Sequence, residues 1–208
     1  MFSTANLNDA LRAVSSSLQI PVICVLLVMI AVVIIMAGTL LAETFTERLR
    51  LKARLPMLVD KIQKCETDIE ETIRGSGLLK RQKSALLELT RHKEITPLMR
   101  ESLAARLIYQ ERGHYDSIVK ITDVISRLGP MFGLLGTLIP LGPGIIALGR
   151  GDTYTLSTSF LTAFDTTVAG LISAAAAYLI SAIRKKWYGN YMSALETVME
   201  CVLEVENQ

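Results

Sequence analysis

Cysteine, histidine and tryptophan are nearly missing from this 208-residue chain, at three, two and one. Cys24, Cys65 and Cys201 are far apart and odd in number, so they supply neither a disulfide framework nor a metal-ligand spacing. Cys24 sits in an apolar run and reads as a small hydrophobe. His92 and His114 are isolated, and no metal site is expected from them. There is no nucleophile elbow. Gly142-Pro-Gly144 lacks the Lys-Ser/Thr that a phosphate-binding loop requires. No enzyme, no metal and no cofactor is therefore expected. The formal net charge is only +2. Without a basic face or a reader motif it argues against a nucleic-acid partner.

Charge is also absent, but only locally. Ala13 to Ala42 carries none, and Pro21 to Ala42 is almost wholly aliphatic. Between Arg127 and Arg150 lie 22 uncharged residues. Thr153 to Ile183 has one charged side chain, Asp165, before Arg184, Lys185 and Lys186 close the run. A hydrocarbon core of roughly 30 Å takes about 20 helical residues, so each stretch can span a bilayer. The β-branched run Val32 to Ile35 would suit a strand in water. Its length and lack of alternation favour a spanning helix. Pro21 fits the first turn of that helix, where its missing N–H is not needed. The first block is too long for the apolar part of a cleaved leader and is expected to remain as a span. The expected fold class is an all-α integral membrane protein with three transmembrane helices and a cytoplasmic helical extension.

The charge missing from the spans is gathered between them. Residues 43–127 hold 17 Lys+Arg and 13 Asp+Glu. Leu58, Ile62, Cys65 and Ile69 recur at helical spacing. Gly75-Ser76-Gly77 reads as a turn, and Leu78 to Leu89 as a helix. Thr96-Pro97 looks like a helix start, with Leu103, Leu107 and Ile108 on one face and a break at Gly113. Ile118, Ile121, Val124 and Ile125 continue toward Leu128. The charges read as a solvated face with i,i+4 pairs. Past Lys186, Trp187, Tyr188 and Tyr191 suit an interfacial aromatic belt. Leu195, Val198, Met199, Val202 and Val205 form a stripe that should pack on the helical domain or on a neighbouring subunit.

These readings divide the chain as follows: 1–18, a short extracytoplasmic N-terminus in which Asn8 can cap a short helix; 19–42, span one; 43–127, a cytoplasmic helical domain; 128–149, span two; 150–154, an extracytoplasmic turn; 155–183, span three; 184–208, a cytoplasmic C-terminal helix. Only Arg12 and Arg150 fall on the extracytoplasmic side, so the division obeys the positive-inside rule.

The hairpin of spans two and three is where function is expected. Gly129, Gly133 and Thr137 fall four apart, on one face. Small residues so spaced let helices approach closely in lipid. Gly136 and Gly170 join them as helix-packing candidates. Pro140 and Pro143 free backbone carbonyls that need a neighbour, a water or a cavity. The third span carries a dense set of hydroxyls around Asp165, among them Thr162, Thr166 and Thr167. A lone acid at membrane depth is kept for a partner, a bundle interior or an ion path.

Gly133-Leu-Leu-Gly-Thr137, followed by Thr166-Thr-Val-Ala-Gly-Leu171 and the Ala174–Ala177 run, resembles the MotA/TolQ/ExbB proton channel family. The three-span layout is more similar to the TolQ and ExbB branch than to four-span MotA. The resemblance implies a homo-oligomer, a pentamer, whose second and third spans line a channel in the inner (cytoplasmic) membrane. It implies a single-span partner similar to ExbD, TolR or MotB inside that channel, supplying an essential aspartate. It makes the chain a stator subunit that conducts protons to drive mechanical work or transport. Thr137 and Thr167 match the family's channel threonines. Members often carry an acid five positions before the third-span threonine; here Thr162 stands there, and the acid is Asp165. Two residues turn a helix by about 200°, so Asp165 and Thr167 cannot both face one pore. Thr137, Thr167, Asp165, Thr162 and Thr166 are the ion-path candidates, with the orientation of the third span open. A non-conducting scaffold that recruits partners through its cytoplasmic helices is the alternative; it would assemble stably with no aspartate-bearing partner and dissipate no pH gradient.

Overall fold

The structure, a computed structural model, describes residues 13–46, 69–92 and 94–206. It contains helices α1 (Gln19–Thr46), α2 (Ile69–Gly75), α3 (Lys80–Arg91), α4 (Pro97–Gly149) and α5 (Thr153–Glu206). Among the described residues there is no strand. Three segments are long and apolar enough to cross a membrane, Ala13–Thr44, Pro97–Gly149 and Thr153–Val205. The fold is therefore all-α with three candidate spans. The expected cap at Asn8, the charged run from Glu47 to Arg54 and the face of Leu58, Ile62 and Cys65 lie outside the described residues.

Local chemistry accounts for several helix ends. Pro21 falls in the first turn of α1, and α4 begins at Pro97. Both are positions where a missing N–H leaves no helical bond unmade. Ser76 ends α2, with its amide and its hydroxyl both donating to the Ile73 carbonyl, at 3.2 and 2.6 Å. Two expected interruptions do not occur. Gly113 lies inside α4, as do Pro130, Pro140 and Pro143. The C-terminal helix is no separate element, because α5 continues from the third span to Glu206. A helical glycine is unfavourable by only about 1 kcal/mol relative to alanine. Ala104, Tyr115 and Val119, buried around Gly113, hold the helix on course through it.

The chain forms two compact units. One comprises Met1–Ala37 and Ile121–Ser181 and takes in part of each of the three apolar segments. There α1 buries a single stripe, Val22, Leu26, Met29 and Val33, at alternating steps of four and three. Ile20, Leu27, Val28, Ile34 and Ile35 stay exposed around it, the pattern of a helix that turns most of its surface to lipid.

The other unit comprises Gly38–Lys120 and Ala182–Gln208. Its core is built on the C-terminal part of α5. Leu195, Val198, Met199 and Val202 are sealed among Ile73, Leu86, Leu89 and Ala104. The stripe thus packs on the helical domain of its own chain. Trp187, Tyr188 and Tyr191 belong to this core too, Tyr115 and Tyr188 having ring centroids 4.5 Å apart. They are packed inside protein and do not form the expected aromatic belt. Gln82, fully buried, accepts from the Leu79 amide at 3.2 Å and donates to the Tyr191 carbonyl at 2.9 Å. Both ends of its amide are thereby satisfied.

The candidate ion path on the membrane hairpin

Three residues, Arg150, Gly151 and Asp152, make the hairpin turn. Asp152 donates its amide to the Ala147 carbonyl at 3.0 Å, and Gly151 donates to Leu148 at 3.1 Å. This paired closure requires a left-handed residue between the helices, and Gly151 supplies it at φ 72°. Asp152 then caps α5. Its carboxylate accepts the Thr155 amide at 3.0 Å and the Thr155 hydroxyl at 2.6 Å. Those bonds from Thr155, the hydroxyl's first, hold Asp152 below the usual carboxylate range.

Beyond the turn the helices approach so closely that side chains have no room. A Cβ on Gly170 would meet the Gly129 carbonyl at 2.6 Å and the Gly133 Cα at 2.8 Å. One on Gly129 would meet Ala174 at 2.9 Å, and one on Gly136 would meet Thr166 at 2.5 Å. Gly144 faces Ser159. At each of these levels the two residue numbers add to within a few units of 303, so the register is antiparallel and unbroken. Gly129, Gly133, Gly136 and Gly170 are thus brought into one seam. Dispersion at backbone distance is what such a seam supplies in lipid, where no hydrophobic drive is available.

The register places the other candidates. With the helices antiparallel, a step forward along either one rotates toward the same side of the hairpin. Thr137 follows the seam residue Gly136, and Thr167 follows the seam residue Thr166. They therefore lie on one flank, at the same depth, both half-buried. Thr162 and Asp165 each precede a seam residue and lie on the opposite flank. Thr166 itself is buried in the seam. Asp165 is exposed and, among the described residues, has no hydrogen-bond or ion-pair partner.

The hydroxyls share one bonding pattern. Thr137 donates to Leu134 at 2.7 Å, Thr162 to Thr158 at 3.0 Å, Thr166 to Thr162 and Ala163, and Thr167 to Ala163 at 2.9 Å. Each proton is engaged by its own helix, and what the hydroxyl offers outward is its oxygen lone pairs. A row of such oxygens can solvate a passing cation without leaving a donor unmet.

Both flanks expose large apolar side chains. On the Thr137–Thr167 side these are Ile145, Leu148, Phe164, Leu171 and Tyr178. On the other they are Leu135, Ile146, Ile172 and Leu179, beside the half-buried Phe132, Ile139, Thr162 and Ala169. The Thr137–Thr167 flank carries its apolar side chains above and below one pair of level hydroxyls.

Two polar contacts escaped the sequence reading. Asp123, counted there among the solvated charges, accepts a short hydrogen bond from Ser181, which is buried. Extending the seam register downward would have found it, since Asp123 and Ser181 are level on the same scale. Arg184, read as a charge closing the span, is almost fully buried. It donates to the Thr39 hydroxyl at 2.7 Å and pairs with Glu43 at 3.5 Å; the Tyr188 hydroxyl also donates to Glu43, at 3.3 Å. No local pattern announces this contact, because Thr39 and Arg184 are 145 residues apart.

A tight, glycine-sealed hairpin of two long apolar helices, with paired hydroxyls on one flank, defines the class as a polytopic helical membrane protein. Residues 69–197 match the MotA/TolQ/ExbB proton channel family, and the chain belongs to that family. The match covers more than half of the chain and takes in the whole hairpin. Among curated proteins, no individual match is found.

Proposed function

We propose that the chain is the channel subunit of an energy-transducing membrane complex, in which it conducts protons together with a single-span membrane partner. Five copies enclose a passage. The Thr137–Thr167 flank of each hairpin faces inward, and the partner's helix lies among the five. The observation that carries this reading is the level pair of half-buried threonines on one flank of the hairpin. Their outward lone pairs offer a hydrated proton a place to rest. The exposed Ile145, Leu148, Phe164, Leu171 and Tyr178 around them suit an apolar guest helix. Thr166 closes the wall behind by filling the seam at Gly136.

Asp165 and Thr162 face the neighbouring copy. A carboxyl directed to lipid is costly, and the three spans contain no Lys or Arg to pair with it. Cover from a second copy removes that cost. The basic residues of 43–127 and Arg184–Lys186 support a cytoplasmic side for these segments and an outer side for the 150–154 turn, and the family supports the inner membrane as the place.

The test is proton flux into liposomes holding the chain co-purified with its natural partner. Thr137→Ala and Thr167→Ala are each expected to lower the flux at least tenfold with assembly intact. Full flux in both variants overturns the reading. The mass of the wild-type complex is expected to correspond to five copies with two of the partner. A stable assembly with no partner and no flux would favour the scaffold instead.

A further inference from the structure

The hairpin holds a second polar station that the level threonines do not explain. Asp123 is half-buried on α4, and Ser181 on α5 is almost fully buried; the two side chains meet across the helix pair. They obey the register of the glycine seam. Asp123 also follows a seam residue, the fully buried Thr122, so it lies on the flank of Thr137 and Thr167. The separation from Thr137 is 14 residues of continuous helix, about 20 Å along the axis. Between the two stations α4 carries one charge, Arg127.

We propose that Asp123, oriented by Ser181, is the inner acceptor that takes protons leaving the threonine level and releases them to water. This rests on the proposed channel reading and on its orientation, which puts the N-terminal end of the α4 span at the cytoplasmic face. Threonine hydroxyls can solvate a proton but are far too weak as bases to bind it. A carboxylate oxygen is a much stronger base and can bind a proton and release it again. The step is a transfer of one proton from a hydronium in the passage to a carboxylate oxygen of Asp123, followed by its loss to cytoplasmic water, which restores the carboxylate. The Ser181 hydroxyl donates to Oδ1, which restrains the rotamer of a carboxylate that stays half-buried beside the flank. A purely structural pair would need only the hydrogen bond, and Asn can accept that bond as well as Asp does.

The test separates the two roles. In the full chain, co-produced with its partner and reconstituted in liposomes, Asp123→Asn is expected to lower proton flux at least tenfold while the mass of the complex stays that of the wild type. Asp123→Glu is expected to restore at least a third of the flux. Ser181→Ala, which loosens the carboxylate without removing it, is expected to lower flux two- to fivefold. Full flux in Asp123→Asn overturns the assignment. So does loss of assembly in that variant, which would make the contact structural. If Thr137→Ala and Thr167→Ala lower the flux and Asp123→Asn does not, this inference falls and the channel reading stands. If none of the three lowers it, the channel reading itself falls.

Discussion

At the scale of single residues, the hairpin is sensitive where glycine meets backbone and tolerant where it meets nothing. A methyl on Gly170 would press on the Gly129 carbonyl and the Gly133 Cα, neither of which can turn aside. A methyl on Gly142 would meet nothing within 4 Å. Gly170→Ala is therefore expected to destabilise the hairpin by about 1–3 kcal/mol, the usual range for overpacking. Gly142→Ala should be neutral or slightly stabilising, because alanine is the better helix former. Thermal unfolding in detergent checks the pair, and equal effects would mean that the seam is looser than its geometry. Asp152 gives a pH-dependent counterpart. Thr155 lowers its folded-state pKa, so its contribution is complete above the unfolded value of about 4 and fades as pH falls through the folded one. Protection of the Thr155 amide, measured against its intrinsic exchange rate at each pH, should fall in Asp152→Ala, and in the wild type only when the pH is taken below about 4. The seam glycines were legible in the sequence because spacing and residue type carry them; the turn at 150–154 was read too, but not the cap that Asp152 makes in it. The flank of each threonine was not. It depends on which residues enter the seam, and that follows only once both helices are paired.

At the scale of elements, the sequence marked where helices begin better than where they continue. Pro97 and Ser76 act within their own turn, so their effect reads locally. Gly113 and the end of the third span looked like breaks, yet α4 and α5 run through, because buried neighbours outweigh a weak local preference. Burial of charge was the least legible feature. Arg184 holds the last turns of α1 to α5 through Thr39 and Glu43, and no periodicity reports a partner on another helix. Removing Arg184 leaves the half-buried Glu43 without its counter-charge. Arg184→Met is expected to destabilise, by less than the roughly 3–5 kcal/mol typical of a fully buried pair. Arg184→Met with Glu43→Leu should recover much of that loss, since the uncompensated carboxylate goes too. A double-mutant cycle by chemical unfolding in micelles checks this. A double variant no more stable than the single one would show that packing around Arg184 matters more than its charge.

At the scale of the whole molecule, one acid decides how the chain can live in a bilayer. Asp165 is exposed on the single chain at membrane depth, on the flank opposite the threonines, and the spans hold no basic residue to meet it. Facing lipid it would cost several kcal/mol; covered by a second copy it can hydrogen-bond there. Two substitutions separate these demands. Asp165→Asn keeps size and hydrogen bonding but cannot ionise. Asp165→Leu keeps size and removes both properties. If the neighbouring copy uses the group as a hydrogen-bonding contact, Asn should leave the mass of the complex and at least half of the flux intact, and Leu should shift the population toward smaller species. If the carboxyl instead carries protons, Asn should abolish flux with the assembly unchanged, and the third span would have to be rotated so that Asp165, not Thr167, meets the passage. Full assembly and full flux in both variants would mean that the acid is covered by neither a copy nor the ion path, and the packing of copies proposed here would be wrong.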